Sequence, residues 1–175
     1  MKIRANDTAD KGQALLEFAV VLPLLVLLLL GVFDFARAIR TNNTISNMSR
    51  EGVNMASRSS LAPQDIMNAL AATAQPLTMQ SNGMIYITMV QGVAGGSPQI
   101  QSQVGWQNSS LKNTIQSRIG TPTAGNPNPT ALNLAALNLA AGQTSYVVEV
   151  FYNFQSLFPI NVAKLGGQFY SRTVL

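Results

Sequence analysis

The order of apolar and polar residues marks out a membrane segment near the start of the chain. From Ala14 to Phe33 the residues are almost all apolar, with Glu17 as the single charge. This run of 20 residues has about the length that a helix needs to cross the hydrocarbon core of a membrane. We predict a transmembrane helix over residues 13–33. The alternative is a helix buried in a protein core.

After this segment, apolar residues recur at steps of three or four, which is typical of an amphipathic helix. The stripe consists of Phe35, Ile39, Ile45, Met48, Gly52 and Met55, with Asn42 in the gap. No proline occurs between Asp34 and Arg58, so the pattern predicts one helix from about Ala14 to Arg58, roughly 65 Å long. Residues 34–60 form its amphipathic continuation. Two helices with a bend near Gly31 are the alternative.

Residues 61–175 have the mixed pattern of a small domain. We predict a helix over residues 62–77 with Pro63 in its first turn, a helix over 109–119 capped by Ser109 or Ser110, and a helix over 131–142 ended by Gly142. The β-rich runs 84–91 and 99–106 predict a hairpin. Residues 120–130, which contain three prolines, predict a loop.

The strongest predicted strand is Thr144–Phe154, because β-branched and aromatic residues dominate it. Alternation places Tyr146, Val148, Val150, Tyr152 and Phe154 on one face, which we expect to be buried, and Val147, Glu149, Phe151 and Asn153 on the other. A last strand is expected in the C-terminal "GGQFYSRTVL". The predicted fold class is therefore α+β: a long N-terminal helix followed by short helices and an antiparallel sheet.

Composition excludes several kinds of function. Only 10% of the residues are charged, and the net charge of +4 is scattered without a basic run, which argues against nucleic-acid binding. The chain has no cysteine and no histidine, which excludes disulfides, Cys/His zinc sites and histidine acid–base catalysis. No phosphate-binding loop or calcium-binding spacing occurs. We therefore predict no enzymatic activity, no cofactor and no metal, and we expect Trp106 to be a core residue.

Glu17 is the feature that membrane insertion alone does not explain. A carboxylate within a span costs roughly 2.5–3.5 kcal/mol. Glu17 is the fifth residue after Gly12 and is followed by Phe18. One interpretation is that Glu17 reaches the headgroups from the edge of the span. The other is that it pairs with a cation, which would relieve the cost of both charges.

The residues "KG/QALLEF" resemble the cleavage site of type IV prepilins: a short basic leader that ends in glycine, then glutamate at mature position five. An aromatic residue directly after that glutamate is similar to the Flp pilins and TadE-like pseudopilins of tight-adherence (Tad) pili, which have tyrosine where this chain has Phe18. The span "LPLLVLLLLGVFDFAR" and the ending "YVVEVFYNFQSLFPI" to "GGQFYSRTVL" also resemble TadE-like proteins. The domain after the span is similar to TadE-like proteins rather than to the much shorter Flp pilins.

This resemblance implies a leader over residues 1–12, cleavage by a prepilin peptidase between Gly12 and Gln13, and subunit docking through Glu17 and Phe18. In pilins the glutamate is thought to meet the new N-terminal amine of a neighbouring subunit. The implied partners are the prepilin peptidase, other TadE-like or TadF-like pseudopilins, the Flp major pilin, the inner-membrane assembly platform and membrane lipid.

The resemblance also implies a bacterial inner-membrane protein that crosses the membrane once. Its domain over residues 61–175 would lie in the periplasm, or at the cell surface as part of a pilus. Two alternatives remain open. One is an uncleaved, signal-anchored periplasmic protein whose domain binds an envelope partner. The other is a secreted domain that is released by cleavage after Ala38 in "FARA".

Overall fold

The computed structural model describes residues 6–134, 137–157 and 167–175, with side chains from residue 12 onward. Three helices and four strands follow one another along the chain: α1 (Asn6–Arg58), α2 (Pro63–Thr73), α3 (Met79–Asn82), β1 (Gly83–Gln91), β2 (Gln99–Gly105), β3 (Thr144–Phe154) and β4 (Gly167–Val174). A long apolar helix followed by short helices and a four-stranded antiparallel sheet confirms the predicted α+β class.

Helix α1 is one continuous element of 53 residues, about 80 Å long at 1.5 Å per residue. It does not break at Gly31, so the two-helix alternative is wrong, and it tolerates Pro23 in its interior. It begins at Asn6 rather than near Ala14, because no proline interrupts residues 6–13 and a glycine at position 12 costs a helix only about 1 kcal/mol.

The apolar part of α1 lies outside the domain. Its most apolar 18-residue window has a mean hydropathy of 2.8 and is not covered by any described residue, which contradicts the alternative of a buried core helix. Of the described helices, this one is long and apolar enough to cross a membrane.

The sheet has the strand order β2-β1-β3-β4, and all neighbouring strands are antiparallel. The predicted hairpin of β1 and β2 is confirmed, with an irregularity in register between Met89 and Val90. β1 pairs with β3 along the whole length of β1, from Gly83 opposite Tyr152 to Gln91 opposite Thr144. The expected last strand is confirmed as β4, which forms the second edge of the sheet.

The second half of α1 packs across β3 and β4 and buries one stripe of side chains. The predicted stripe is wrong at its start, because Phe35 and Ile39 are exposed while Asp34 and Ala38 are buried. From Ile45 onward the prediction holds. The buried stripe consists of Asp34, Ala38, Thr41, Ile45, Met48, Ser49, Gly52 and Val53.

Ser49 fixes this packing with hydrogen bonds of 2.9 Å to both Ser171 and Thr173 on β4. Helix α2 confirms the first predicted short helix, with Pro63 at its start. It buries Ile66, Met67 and Leu70.

The expected single buried face of β3 is wrong, because both faces are covered. Val148 and Val150 lie in the core under α1 and α2, while Val147 belongs to a second cluster with Ile100 and Ile119. Glu149 is fully buried. The cover over this second face comes from residues 107–119 and 131–134, two segments whose structure also differs from the prediction.

The helix predicted over residues 109–119 is wrong; the segment forms turns. Besides turn hydrogen bonds within the segment, such as that from Thr114 N to the carbonyl of Leu111, its polar groups bond to the sheet. Ser109 Oγ donates to the carbonyl of Gly83 at 2.6 Å, and Tyr86 Oη donates to the carbonyl of Ile115 at 2.7 Å. Apart from one bond of helical spacing, from Ile115 N to the carbonyl of Leu111, turn and tertiary hydrogen bonds stand where helical ones were predicted.

The helix predicted over residues 131–142 is wrong for its described part, 131–134 and 137–142; residues 135–136 lie outside the described ranges. Ala131 N donates to the carbonyl of Pro98, and Leu132 N donates to the carbonyl of Ile119. Asn133 has a φ of 58°, a left-handed conformation that a helix does not accommodate. Residues 120–130 form the predicted loop.

Candidate processing and docking site

All four residues predicted for processing and docking lie near the start of α1, within two turns of one another. Gly12, Gln13, Glu17 and Phe18 are exposed, and the Phe18 side chain is 61% accessible. No hydrogen bond joins them to a described residue outside the helix. The structure therefore presents them together on the surface of an apolar helix. Residues 1–5 of the predicted leader lie outside the described ranges.

Gln13 and Glu17 contact each other across one helical turn. Gln13 Nε2 donates a hydrogen bond of 3.1 Å to Glu17 Oε1, the geometry expected for an i,i+4 pair. A carboxylate can accept about four hydrogen bonds. Glu17 can therefore accept further hydrogen bonds. The neighbouring side chains, Leu16 and Phe18, have no hydrogen-bonding groups.

Gly12 occupies an open position. A Cβ atom at Gly12 would meet no heavy atom within 4 Å, and the same holds at Gly31 in the same helix. Packing in the described structure therefore does not require glycine at position 12. Glycine does lower the stability of the helix there by about 0.5–1 kcal/mol relative to alanine, which makes local unwinding at the Gly12–Gln13 bond easier.

The structure adds a residue that sequence reasoning did not assign, Asp34, which lies directly after the apolar segment. Its side chain is only 2% exposed and forms an ion pair of 3.0 Å with Arg37. Asp34 Oδ1 also accepts from the backbone N–H of Leu157 at 3.3 Å, and Asp34 Oδ2 accepts from Ser156 Oγ. Asp34 therefore ties α1 to the chain that leaves β3. Its signal in the sequence was an acid at the end of the span with an arginine three residues later.

Glu149 is the second buried carboxylate, and it joins three segments. It accepts hydrogen bonds from Ser117 Oγ, from the backbone N–H of Arg118 at 3.0 Å and from Tyr170 Oη at 2.9 Å. The Arg118 guanidinium lies 4.3 Å from the centre of the Tyr170 ring. Burial, and then the charge of Glu149, raise the pKa of Tyr170 well above its usual range, so Tyr170 remains a hydrogen-bond donor.

Trp106 is a core residue, as predicted, and Trp106 Nε1 donates to Asn68 Oδ1 at 2.8 Å. Every buried polar side-chain atom in the described ranges has a hydrogen-bond partner. Within those ranges no three acidic side chains come together as a possible metal site. Asp34 and Glu149 are thus built into the fold, whereas Glu17 is presented on its surface.

Comparison with known proteins bears on this N-terminal region. No curated protein and no solved structure matches the chain. The family model described as TadE-like protein matches residues 12–54, about a quarter of the chain, and its match begins at Gly12. The resemblance of the C-terminal strands to this family lies outside the match and stays a prediction. Over residues 12–54 the chain is similar to TadE-like proteins, as its N-terminal motif predicted.

Proposed function

We propose that this protein is a minor pseudopilin that takes part in assembling or priming a Tad pilus. Helix α1 anchors it in the bacterial inner membrane with the domain on the periplasmic side. A prepilin peptidase cuts between Gly12 and Gln13, and the protein then docks through Glu17 and Phe18. It performs no chemistry itself. The observation that carries this proposal is the exposed carboxylate of Glu17, one turn from Gln13 on an apolar helix.

Cleavage would change the charge balance at this point. The new α-amine of Gln13 is cationic at neutral pH, and the side chains of Gln13 and Glu17 already lie within hydrogen-bond distance. An amine and a carboxylate that are each unpaired in lipid are costly, and pairing relieves both costs. If the amine comes from a neighbouring subunit, this relief depends on correct register. The proposed partners are other TadE-like or TadF-like pseudopilins, the Flp major pilin and the assembly platform.

The N-terminus of the protein isolated from its native host tests the proposal. Intact mass or N-terminal sequencing should show a start at Gln13. A start at Met1 in cells with an active prepilin peptidase would identify the uncleaved anchor instead. A start at Ile39 would identify the secreted domain, although Ala38 is buried in the middle of α1 and is therefore poorly placed for a signal peptidase.

Gly12→Ala should abolish trimming, while Gly31→Ala should leave it normal. Both substitutions add one methyl group to α1 where the described structure has open space, so a difference between them reports on recognition by the peptidase. Normal trimming of the Gly12→Ala protein would disprove the assigned cleavage site.

Glu17→Gln tests docking, because it keeps the size of the side chain and one acceptor oxygen while it removes the charge. We expect normal trimming and a loss of pilus assembly. The matched control is Glu51→Gln on the exposed surface of α1 outside the apolar segment, which should assemble normally. Normal pili in the Glu17→Gln strain would refute the docking role.

A further inference from the structure

A cleft of about 370 Å³ opens beside α1 just beyond the apolar segment. Its walls come from α1, from the turn before α3 and from the end of β3. Arg37 and Arg40 line the cleft, and none of its described lining residues is acidic. We propose that this cleft binds the headgroup of an anionic phospholipid, of the phosphatidylglycerol type, in the leaflet next to the domain. The inference rests on the part of the proposed function that places α1 across the membrane.

The height of the cleft along α1 matches the headgroup layer. At 1.5 Å per residue, Arg37 and Arg40 lie about 6 and 10 Å beyond Phe33. The headgroup layer on each side of the hydrocarbon core is about 5–8 Å thick. Helix side chains lean toward the N-terminus of their helix, and the Arg37 guanidinium is directed this way, since it bonds to Asp34. Arg37 therefore lies at the depth of the lipid phosphates, and the length of the Arg40 side chain is sufficient to reach the same depth.

The two arginines have different roles. Arg37 is held in place by its ion pair with Asp34 and by the ring of Phe154, whose centre lies 5.3 Å from the guanidinium carbon. Since a guanidinium has five N–H donors, Arg37 keeps donors after bonding to Asp34. Arg40 is exposed, and no described residue pairs with its guanidinium. The positive charge of Arg40 is therefore available to a phosphate.

The rest of the cleft suits the remainder of a lipid headgroup. Asn153 Oδ1 accepts a hydrogen bond from Gln168 Nε2, so Asn153 Nδ2 remains available as a donor. The side chain of Gln155 is exposed. Amide groups of this kind can bond to glycerol hydroxyls and phosphodiester oxygens. At the membrane side of the cleft, Leu157 is 57% exposed although its backbone is tied to Asp34. An exposed leucine at that height is suited to contact acyl chains.

Native mass spectrometry of the full chain in detergent micelles, with phosphatidylglycerol or phosphatidylcholine added, tests the inference. We expect one phosphatidylglycerol molecule per chain at saturation and no comparable binding of phosphatidylcholine. Arg40→Gln should reduce phosphatidylglycerol binding about fivefold, the share that one basic residue contributes beside an anionic surface. Unchanged Trp106 fluorescence will show that the variant is folded.

Arg50→Gln is the matched control, with the same change of charge on the same exposed helix. Arg50 lies about 15 Å further along α1 than Arg40, beyond the Debye length of about 8 Å at physiological salt, so binding should not change. Equal losses in Arg40→Gln and Arg50→Gln would overturn the inference, because they would indicate long-range attraction without a site. Equal binding of both lipids would also overturn it.

Two further measurements separate the remaining explanations. Complete displacement of the lipid by a millimolar excess of inorganic phosphate would identify free phosphate as the ligand and overturn the lipid assignment. Alkaline extraction of vesicles that contain the protein tests insertion independently. Loss of insertion would refute the membrane anchor and this inference together, whereas an inserted protein without lipid preference would refute this inference alone.

Discussion

At the residue scale, Asp34 and Glu149 show how the domain uses its few charges. A buried carboxylate is costly unless several donors satisfy it. The donors to Asp34 are the Arg37 guanidinium, the Ser156 hydroxyl and the Leu157 N–H. The donors to Glu149 are the Ser117 hydroxyl, the Arg118 N–H and the Tyr170 hydroxyl. Each carboxylate connects segments that are distant in sequence. Both therefore act as fixed points between a loop and a regular element.

Asp34→Ala should lower the free energy of unfolding by about 1–3 kcal/mol, because it leaves donors at Ser156 and Leu157 without this acceptor. Arg37 is 36% exposed, so solvent screens the ion pair and keeps the loss in the lower part of that range. Urea titration followed by Trp106 fluorescence measures the effect. Glu51→Ala, at an exposed position of the same helix, is the control. Equal midpoints for the two variants would show that Asp34 is not an anchor.

Tyr170 makes stability depend on pH in the alkaline range. Its folded-state pKa is raised above the ordinary value of 10.0, by burial first and then by Glu149, and the pKa of Tyr86 is raised for the same reasons. The unfolded chain therefore loses these protons first. The stability that the protonated tyrosines contribute is fully present below about pH 10 and decreases as the pH rises above it. In the Tyr170→Phe variant, the urea midpoint should fall less steeply with rising pH above pH 10 than it does in the unsubstituted protein. Equal slopes for the two proteins would show that Tyr170 does not contribute to this pH dependence.

At the element scale, α1 is one helix in two environments. Its first half has no described cover, while its second half packs on the sheet and on α2. Gly52 lies at a close contact: a Cβ atom there would lie 2.9 Å from Leu70 Cδ1 and 3.0 Å from Val148 Cγ1. A glycine in the middle of a helix is unfavourable by itself. Here it allows α1 to contact α2 and β3 at the same point.

Gly52→Val should destabilise the domain by about 1–3 kcal/mol, because the added carbons overpack this contact. Asn54→Val is the control, since it places the same β-branched residue two positions away on the exposed face of α1. Thermal or urea unfolding of both variants measures the difference. A Gly52→Val protein as stable as the control would show that α1 can shift without cost.

At the scale of the whole molecule, the apolar half of α1 does not pack against the described part of the domain. Residues 12–29 are all exposed, and the domain buries α1 only from Asp34 onward. The core under α1 depends on Ile45, Met48 and Val53, which are at most 3% exposed. The first half of the helix is therefore long and apolar enough to cross a membrane, while its second half is part of the core.

A chain that begins at Phe33 should unfold at the same urea midpoint as the full chain in the same detergent, because none of residues 12–32 is buried against the domain. A chain that begins at Ser60 should not fold cooperatively, since it lacks three buried side chains that are each worth about 1.5–3 kcal/mol. Trp106 fluorescence reports on both. A lower midpoint for the chain from Phe33 would show that the apolar half stabilises the domain.

The sequence by itself determined the features that depend on local pattern. Apolar length predicted the potential membrane segment, and the step of three to four predicted the helix that continues it, although only the structure excluded a break at Gly31. β-rich runs predicted strands β1 and β2, and the dominance of β-branched and aromatic residues predicted β3. The motif from Gly12 to Phe18, together with the span and the domain after it, predicted a likeness to TadE-like proteins, and the family model matches residues 12–54. The roles assigned to those four residues remain predictions.

Only the tertiary structure decided features that depend on contacts between distant segments. Residues 109–119 have a helical pattern, but the sheet offers them better hydrogen bonds, and they cover the face of β3 that was expected to be exposed. That cover makes Glu149 a buried anchor. The position of β4 beside α1 likewise explains why Ser49 is buried. Periodicity describes one segment at a time, whereas burial depends on which segments fold over it.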